Sequence, residues 1–216
     1  DVHPDQWPES LDGLTVAVIS DLHVAAGTTP RYVQDIVDRT NALAPDIIAL
    51  CGDLVDGSVD ALGDAVRPLS GLRARLGTFA VTGNHEFFAG ALPWVTFLRR
   101  IGIEVLENSR RTLGVGDTAF DVAGVPDFMA GRFDAERAPN LRAALDGRDR
   151  SRPVILLAHQ PRQFDEAAAH GVTLQVSGHT HGGQIWPFSL LVRLVDRRVA
   201  GVYRQGASLL YVSRGI

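Results

Sequence analysis

The sequence predicts an α/β fold, with a mixed sheet or a pair of sheets covered by helices, and three observations carry that expectation. Short β-branched runs alternate with stretches of helical period. The chain has 216 residues at 45% hydrophobic content, enough for one large core and too few for two comfortable ones, so a single domain over 1–216 is expected. Each strand-like run also leads directly into a cluster of Gly, Asp and His, as expected where a ligand site lies beyond the carboxyl ends of strands.

The elements follow in chain order. TVAVIS at 15–20 and DIIALC at 46–51 read as buried strands. Between them Val33, Ile36, Val37, Thr40 and Leu43 recur at helical spacing behind Pro30, a good first-turn residue, and Pro45 stops the run. GTFAVT at 77–82 is the third strand, followed by a helix marked by Leu92, Val95, Leu98 and Arg99. A hairpin over 111–125 turns at Gly116-Asp117, and a further helix is expected over 134–145. PVILLAH at 153–159 and TLQVSGH at 173–179 are the last buried strands, with a helix over 162–170 between them and a second hairpin over 199–213 around Gly206.

Composition narrows the functions. A formal charge of −4 argues against stable nucleic-acid binding. All 21 positive charges are arginine, so no lysine is available for Schiff-base or P-loop chemistry. Cys51 is the single cysteine and excludes an intrachain disulfide. The chain begins at Asp1 without a methionine or leader and stops just after a strand-like run, and so reads as a piece excised from a longer protein. No run approaches 18 uninterrupted apolar residues, so no span is expected within these residues, and a membrane segment before Asp1 stays open.

The polar clusters are Ser20-Asp21-Leu22-His23, Gly52-Asp53, Gly83-Asn84-His85-Glu86, His159 and Gly178-His179-Thr180-His181. Five of the seven histidines lie in them; His3 and His170 lie outside and read as surface residues. Imidazole and carboxylate together suit Zn, Mn or Fe better than Mg or Ca. One metal would leave several of these groups unused, whereas two divalent ions sharing a bridging carboxylate would employ them all. Asp21 and Asp53 under-neutralise two such ions, and a phosphoester substrate would complete the balance. The glycines let the backbone turn tightly and approach the metals.

The ordered set D-x-H, G-D, G-N-H-E, H and G-H-x-H over residues 21–181 closely resembles the calcineurin-like metallophosphoesterase superfamily. The resemblance implies a four-layer α/β/β/α sandwich with two metals at the strand ends. It places Asp21, His23, Asp53 and His181 around one ion, and Asp53, Asn84, His159 and His179 around the other, with Asp53 bridging and a hydroxide between the metals as nucleophile. It gives His85 a catalytic role, binding phosphate and protonating the leaving oxygen. Glu86 and Asp56 are expected to orient ligands or to be structural.

Departures narrow the branch. The arginines with which serine/threonine protein phosphatases grip phosphate are replaced by Gly57 and by Thr82-Gly83, and Asp56 stands where purple acid phosphatases carry a tyrosine. GHTHGGQ followed by an aromatic residue and proline, Trp186-Pro187, is similar to the bacterial membrane-associated branch. That likeness implies a phosphodiesterase acting on lipid-linked or nucleotide esters, membrane contact through a segment outside this chain, and a domain continuing beyond YVSRGI. The stretch at 186–204 reads as core packing, with an apolar rim that meets lipid as the alternative. Cys51 reads as a small buried hydrophobe, and Arg162 as a substrate contact or a solvated helix start. Rival functions are a non-catalytic scaffold that has lost metal ligands, a phosphomonoesterase, and binuclear peptide or lactam hydrolysis. The full set of ligand types argues against the first, and the order of the motifs against the last.

Overall fold

The architecture follows from the alternation along one buried strand, β2 (Ile47–Cys51). Ile48 and Leu50 pack into an apolar cluster with Val33, Leu62 and Trp94, all on helices. Ile47, Ala49 and Cys51 face the other way, into a cluster with Phe120, Val122, Ile155, Leu157 and Val176, all on strands. Successive side chains of a strand point to opposite faces, so β2 has helices on one side and a second sheet on the other. The computed structural model describes residues 2–5, 7–183 and 198–216.

The first sheet has four parallel strands in the order β1 (Val16–Ile19), β2, β3 (Gly77–Val81) and β4 (Glu104–Val105). The second has six, ordered β5 (Ser109–Leu113), β6 (Phe120–Gly124), β7 (Val154–Leu157), β8 (Leu174–Ser177), β10 (Ser208–Val212) and β9 (Gly201–Gln205). Its four inner strands are parallel, and the two hairpins supply the antiparallel edges. Helices α1 (Pro30–Ala42), α2 (Val59–Val66) and α4 (Ala91–Arg100) cover the first sheet. Helices α5 (Leu141–Ala144) and α6 (Phe164–Ala169) cover the second. The result is a four-layer α/β/β/α sandwich.

Local chemistry sets the element limits. In α1, Val33, Ile36, Val37 and Thr40 form the buried stripe, and the Thr29 hydroxyl caps the start by accepting from the Tyr32 amide. The continuous helix expected over 134–145 is not formed. A 3-10 turn at Ala135–Arg137 and the single turn of α5 stand in its place. Pro139 has no N–H to donate and forces Ala138 out of the helical region, to ψ 141°. Asn140 then caps a fresh start by accepting from the Ala143 amide. Three elements were not anticipated: α2, capped by Ser58, the two-residue β4, and α3 (Asn84–Ala89), which opens inside the Gly-Asn-His-Glu cluster. The apolar stretch read at 186–204 lies for the most part, at 186–197, outside the described residues.

Candidate metal centre

The carboxyl ends of β1, β2, β3, β7 and β8 meet at one rim of the sandwich, and backbone hydrogen bonds lace the loops that leave them. The Asp21 amide donates to the Gly52 carbonyl and the His23 amide to the Asp53 carbonyl, both at 3.0 Å, and the Gly178 amide donates to the His159 carbonyl at 3.0 Å. Three glycines are required by this closeness, and a Cβ on Gly52 would lie 2.5 Å from the Gly83 nitrogen. A Cβ on Gly83 would lie 2.2 Å from Asp53 Oδ1, and one on Gly178 would lie 2.3 Å from Asp21 Oδ2.

Among the described residues seven non-glycines adopt a left-handed backbone, and five of them are Asp21, His23, Asp53, His179 and His181. Each such conformation costs roughly 1–3 kcal/mol and persists only where its surroundings impose it. Hydrogen bonds to the carboxylates help to impose it here. The His179 amide donates to both Asp21 oxygens, at 2.9 and 3.1 Å, and the His85 amide donates to Asp53 Oδ1 at 2.9 Å.

The side chains converge in two adjacent groups. In one, His23 Nε2 lies 3.1 Å from His181 Nε2, which lies 3.6 Å from Asp21 Oδ1. In the other, His159 Nε2 lies 3.1 Å from Asp53 Oδ2 and 3.2 Å from His179 Nδ1. His159 Nδ1 donates to the Cys51 carbonyl at 2.7 Å, which turns the lone pair of Nε2 toward the Asp53 carboxylate. A lone pair facing a carboxylate at that distance needs a cation between them, a metal or a proton. Asn84 Oδ1 adds a further acceptor, buried without a hydrogen-bond donor. These clustered His and Asp side chains have the capacity to hold one or two divalent cations, and the donor chemistry fits such ions.

Burial would lower His159, but its hydrogen bond to Asp53 and that carboxylate's charge outweigh burial and hold the imidazole above its ordinary range. Burial would raise Asp53, and His159 and His85 outweigh it, holding this carboxyl well below the carboxylate range. Burial, helped by the charge of Asp21, pushes the Cys51 thiol up, in keeping with an inert small hydrophobe.

Two neighbours read from sequence as orienting groups acquire definite partners. The Glu86 carboxylate, 1% exposed, accepts from the amides of Asp53, Leu54 and Gly83 at 3.0, 2.7 and 2.5 Å, tying the end of β2 to the start of α3. Burial and the charge of Asp53 push its carboxyl up to about 7 against those donors. Asp56 Oδ1 lies 2.8 Å from His23 Nδ1 and 2.7 Å from His85 Nδ1, so one carboxylate orients both rings. His85 Nε2 is 3.9 Å from Asp53 Oδ2, and His85 forms a third close group with His23 and Asp53.

His3 and His170 are exposed and apart from this rim. Arg162 stacks over Phe128, with its guanidinium 4.8 Å from the ring centre. Sequence reasoning missed Asp127, fully buried just after β6, which accepts from Gln160 Nε2 and the Met129 amide. Its signal was an aspartate directly after a strand, overlooked because no histidine accompanies it. Gly215 was also missed; a Cβ there would lie 3.0 Å from Asp21 Cβ, so the chain after β10 returns to the rim.

Comparison with known proteins agrees with this geometry. A family model described as calcineurin-like phosphoesterase matches residues 14–183. An uncharacterized metallophosphoesterase of Helicobacter pylori is 38% identical over 204 residues, covering 94% of this chain and 54% of the relative. A zebrafish (Danio rerio) protein described as a transmembrane protein with metallophosphoesterase domain is 34% identical, over 98% of this chain and 50% of its own length. The chain therefore spans about half the length of these relatives. The phosphopantetheinyl hydrolase of Mycobacterium tuberculosis shares the fold at a TM-score of 0.58 and 16% identity, with 93% of this chain and 89% of that one covered.

Proposed function

The chain belongs to the calcineurin-like phosphoesterase family, and from that membership and the donor geometry we propose that it is a metal-dependent phosphoesterase that prefers diesters. In this reading Asp21, His23, Asp53 and His181 hold one divalent ion, and Asp53, Asn84, His159 and His179 hold the other. Such ions supply charge for the phosphoryl oxygens and acidify a water to serve as nucleophile.

The chain's own groups do the rest. The His159 ring is locked by the Cys51 carbonyl, and the Asp53 carboxylate by the His85 amide, so neither reorganises as substrate arrives. Asp56 takes His85 Nδ1, which leaves Nε2 as the atom that gives a proton to the departing oxygen. The convergence of His159 on Asp53 at 3.1 Å and on His179 at 3.2 Å is the single observation that carries the proposal.

The diester preference rests on the missing phosphate-gripping arginines at Gly57 and Thr82-Gly83. Lipid-linked and nucleotide diesters are the substrate classes proposed. Membrane attachment through a segment outside this chain draws support from the zebrafish relative's description; among the described residues no helix is long and apolar enough to cross a membrane. The test measures metal content and hydrolysis of bis-p-nitrophenyl phosphate and p-nitrophenyl phosphate, for the protein and Asp53→Ala, after adding Mn or Zn. About two ions per chain and faster diester cleavage, both lost on substitution, are expected. A folded protein that takes up no metal would refute the proposal, and comparable rates on both esters would remove the diester preference.

A further inference from the structure

Phenylalanine left in water forgoes the burial that stabilises it elsewhere, so where it is exposed is informative. Among the described residues the exposed phenylalanines are Phe88, Phe128 and Phe133, at 59, 44 and 49%. Phe88 stands on α3, and the other two on the loop that follows β6. Phe88 meets the His85 ring edge-on at 5.5 Å and the Phe133 ring edge-on at 5.4 Å. Beneath them Phe87, buried with Ala91 and Ala130, packs against Phe133 at 6.0 Å. The two exposed rings therefore stand on a fixed footing, in a continuous path that starts at His85.

Resting on the phosphoesterase reading, we propose that Phe88 and Phe133 form a wall that takes the apolar part of the substrate's leaving alcohol, an aromatic ring or a hydrocarbon chain. The placement dictates the occupant. His85 Nε2 lies 3.9 Å from Asp53 Oδ2, and the centre of the same ring lies 5.5 Å from that of Phe88. A group leaving phosphorus toward His85 would then have Phe88 beside it, with Phe133 against Phe88. A small or charged alcohol would leave both rings wet, whereas a phenyl or alkyl group would cover them. The wall thus selects esters by what is attached beyond the scissile oxygen.

The test is calorimetric titration of the Mn-loaded protein with inorganic phosphate and with methyl-, benzyl- and octylphosphonate, which bind without turning over. Benzylphosphonate is expected to bind about tenfold more tightly than methylphosphonate, and Phe88→Ala and Phe133→Ala should each lose about three- to tenfold of that preference. Inorganic phosphate should bind the variants as it binds the parent. Octylphosphonate binding like benzylphosphonate would assign the wall to hydrocarbon in general, and weaker octylphosphonate binding would assign it to rings. Equal affinities in the parent, or a preference untouched by both substitutions, would overturn the proposal. So would binding to phosphatidylcholine vesicles that Phe88→Ala abolishes while the phosphonate preference stays intact, since the rings would then serve a membrane surface. Failure of the parent to bind inorganic phosphate would instead strike the phosphoesterase reading on which the wall depends.

Discussion

Removing the Glu86 carboxylate should unfold the protein more readily and loosen the metal centre together, by an amount the structure fixes. Oε2 accepts from the amides of Asp53 and Gly83, and Oε1 from the amide of Leu54, all in the buried interior. A buried donor that loses its partner costs about 1–3 kcal/mol. Glu86→Ala strands three of them, and about 3–5 kcal/mol is expected once water enters the vacated space. Glu86→Gln keeps one oxygen for two of the donors and turns its NH2 toward the third, so about 1–3 kcal/mol is expected. For a chain of this size each kcal/mol lowers Tm by about 2–4 °C, which puts Glu86→Ala roughly 6–20 °C below the parent. Thermal melts of the three EDTA-dialysed proteins, with metal content after reloading, provide the assay. Because two of the amides belong to Asp53 and its neighbour Leu54, the alanine variant should also reload poorly. An alanine variant melting within about 2 °C of the parent, or one more stable than the glutamine variant, would refute the reasoning.

Other outcomes follow from the same contacts. His85→Ala should keep its metal and lose about a hundredfold or more in turnover; metal lost instead would make His85 a ligand, as its closeness to His23 and Asp53 permits. Because Asp53 holds the His159 imidazole above its ordinary range, Mn binding should release protons and strengthen as pH rises; calorimetric titrations in buffers of different ionisation enthalpy should count the released protons, and an affinity unchanged across titrations at several pH values would be a contradiction. Asp46 is drawn below the ordinary carboxylate range because the Thr15 amide and Arg75 outweigh burial, so its contribution to stability is present above about pH 4 and is lost as pH falls through its lowered value. Asp46→Asn should therefore be less stable than the parent at neutral pH and approach it in acid; denaturant melts showing a constant gap would exclude that role.

The fold was legible where one physical signal dominated. The five buried runs stand as strands within a residue or two of their expected limits, because β-branched residues bounded by Gly, Asp and Pro leave little alternative. The division into sheets of four and six strands was not legible, since β2 and β7 are buried on both faces and carry no alternation from which to read a partner. The helix expected over 134–145 failed at Pro139, where local backbone chemistry overrode a weak period. Helix α3 was hidden because its first residues are the polar ones of the site. The rim itself was legible because imidazoles and carboxylates gather at strand ends; Asp127 and Gly215 reach it through tertiary structure that no local pattern announces.

Five of the proposed ligands sit where the backbone is left-handed, a conformation in which glycine would be more stable. Glycine cannot bring a carboxylate or an imidazole, so at these positions chemistry prevails over conformational preference, and the surrounding glycines yield the space. The arrangement would be unstable if the loops stood alone. It is held because Asp21 and Asp53 accept amide hydrogens from residues far away in sequence, at His179 and His85, and because Glu86 ties three amides of two loops into one knot. Each of those carboxylates thereby fixes backbone as well as offering charge, and the side chains face one another at 3.1–3.2 Å. A divalent ion entering such a site meets little reorganisation cost, and it competes with the proton for His159, which Asp53 holds above its ordinary range.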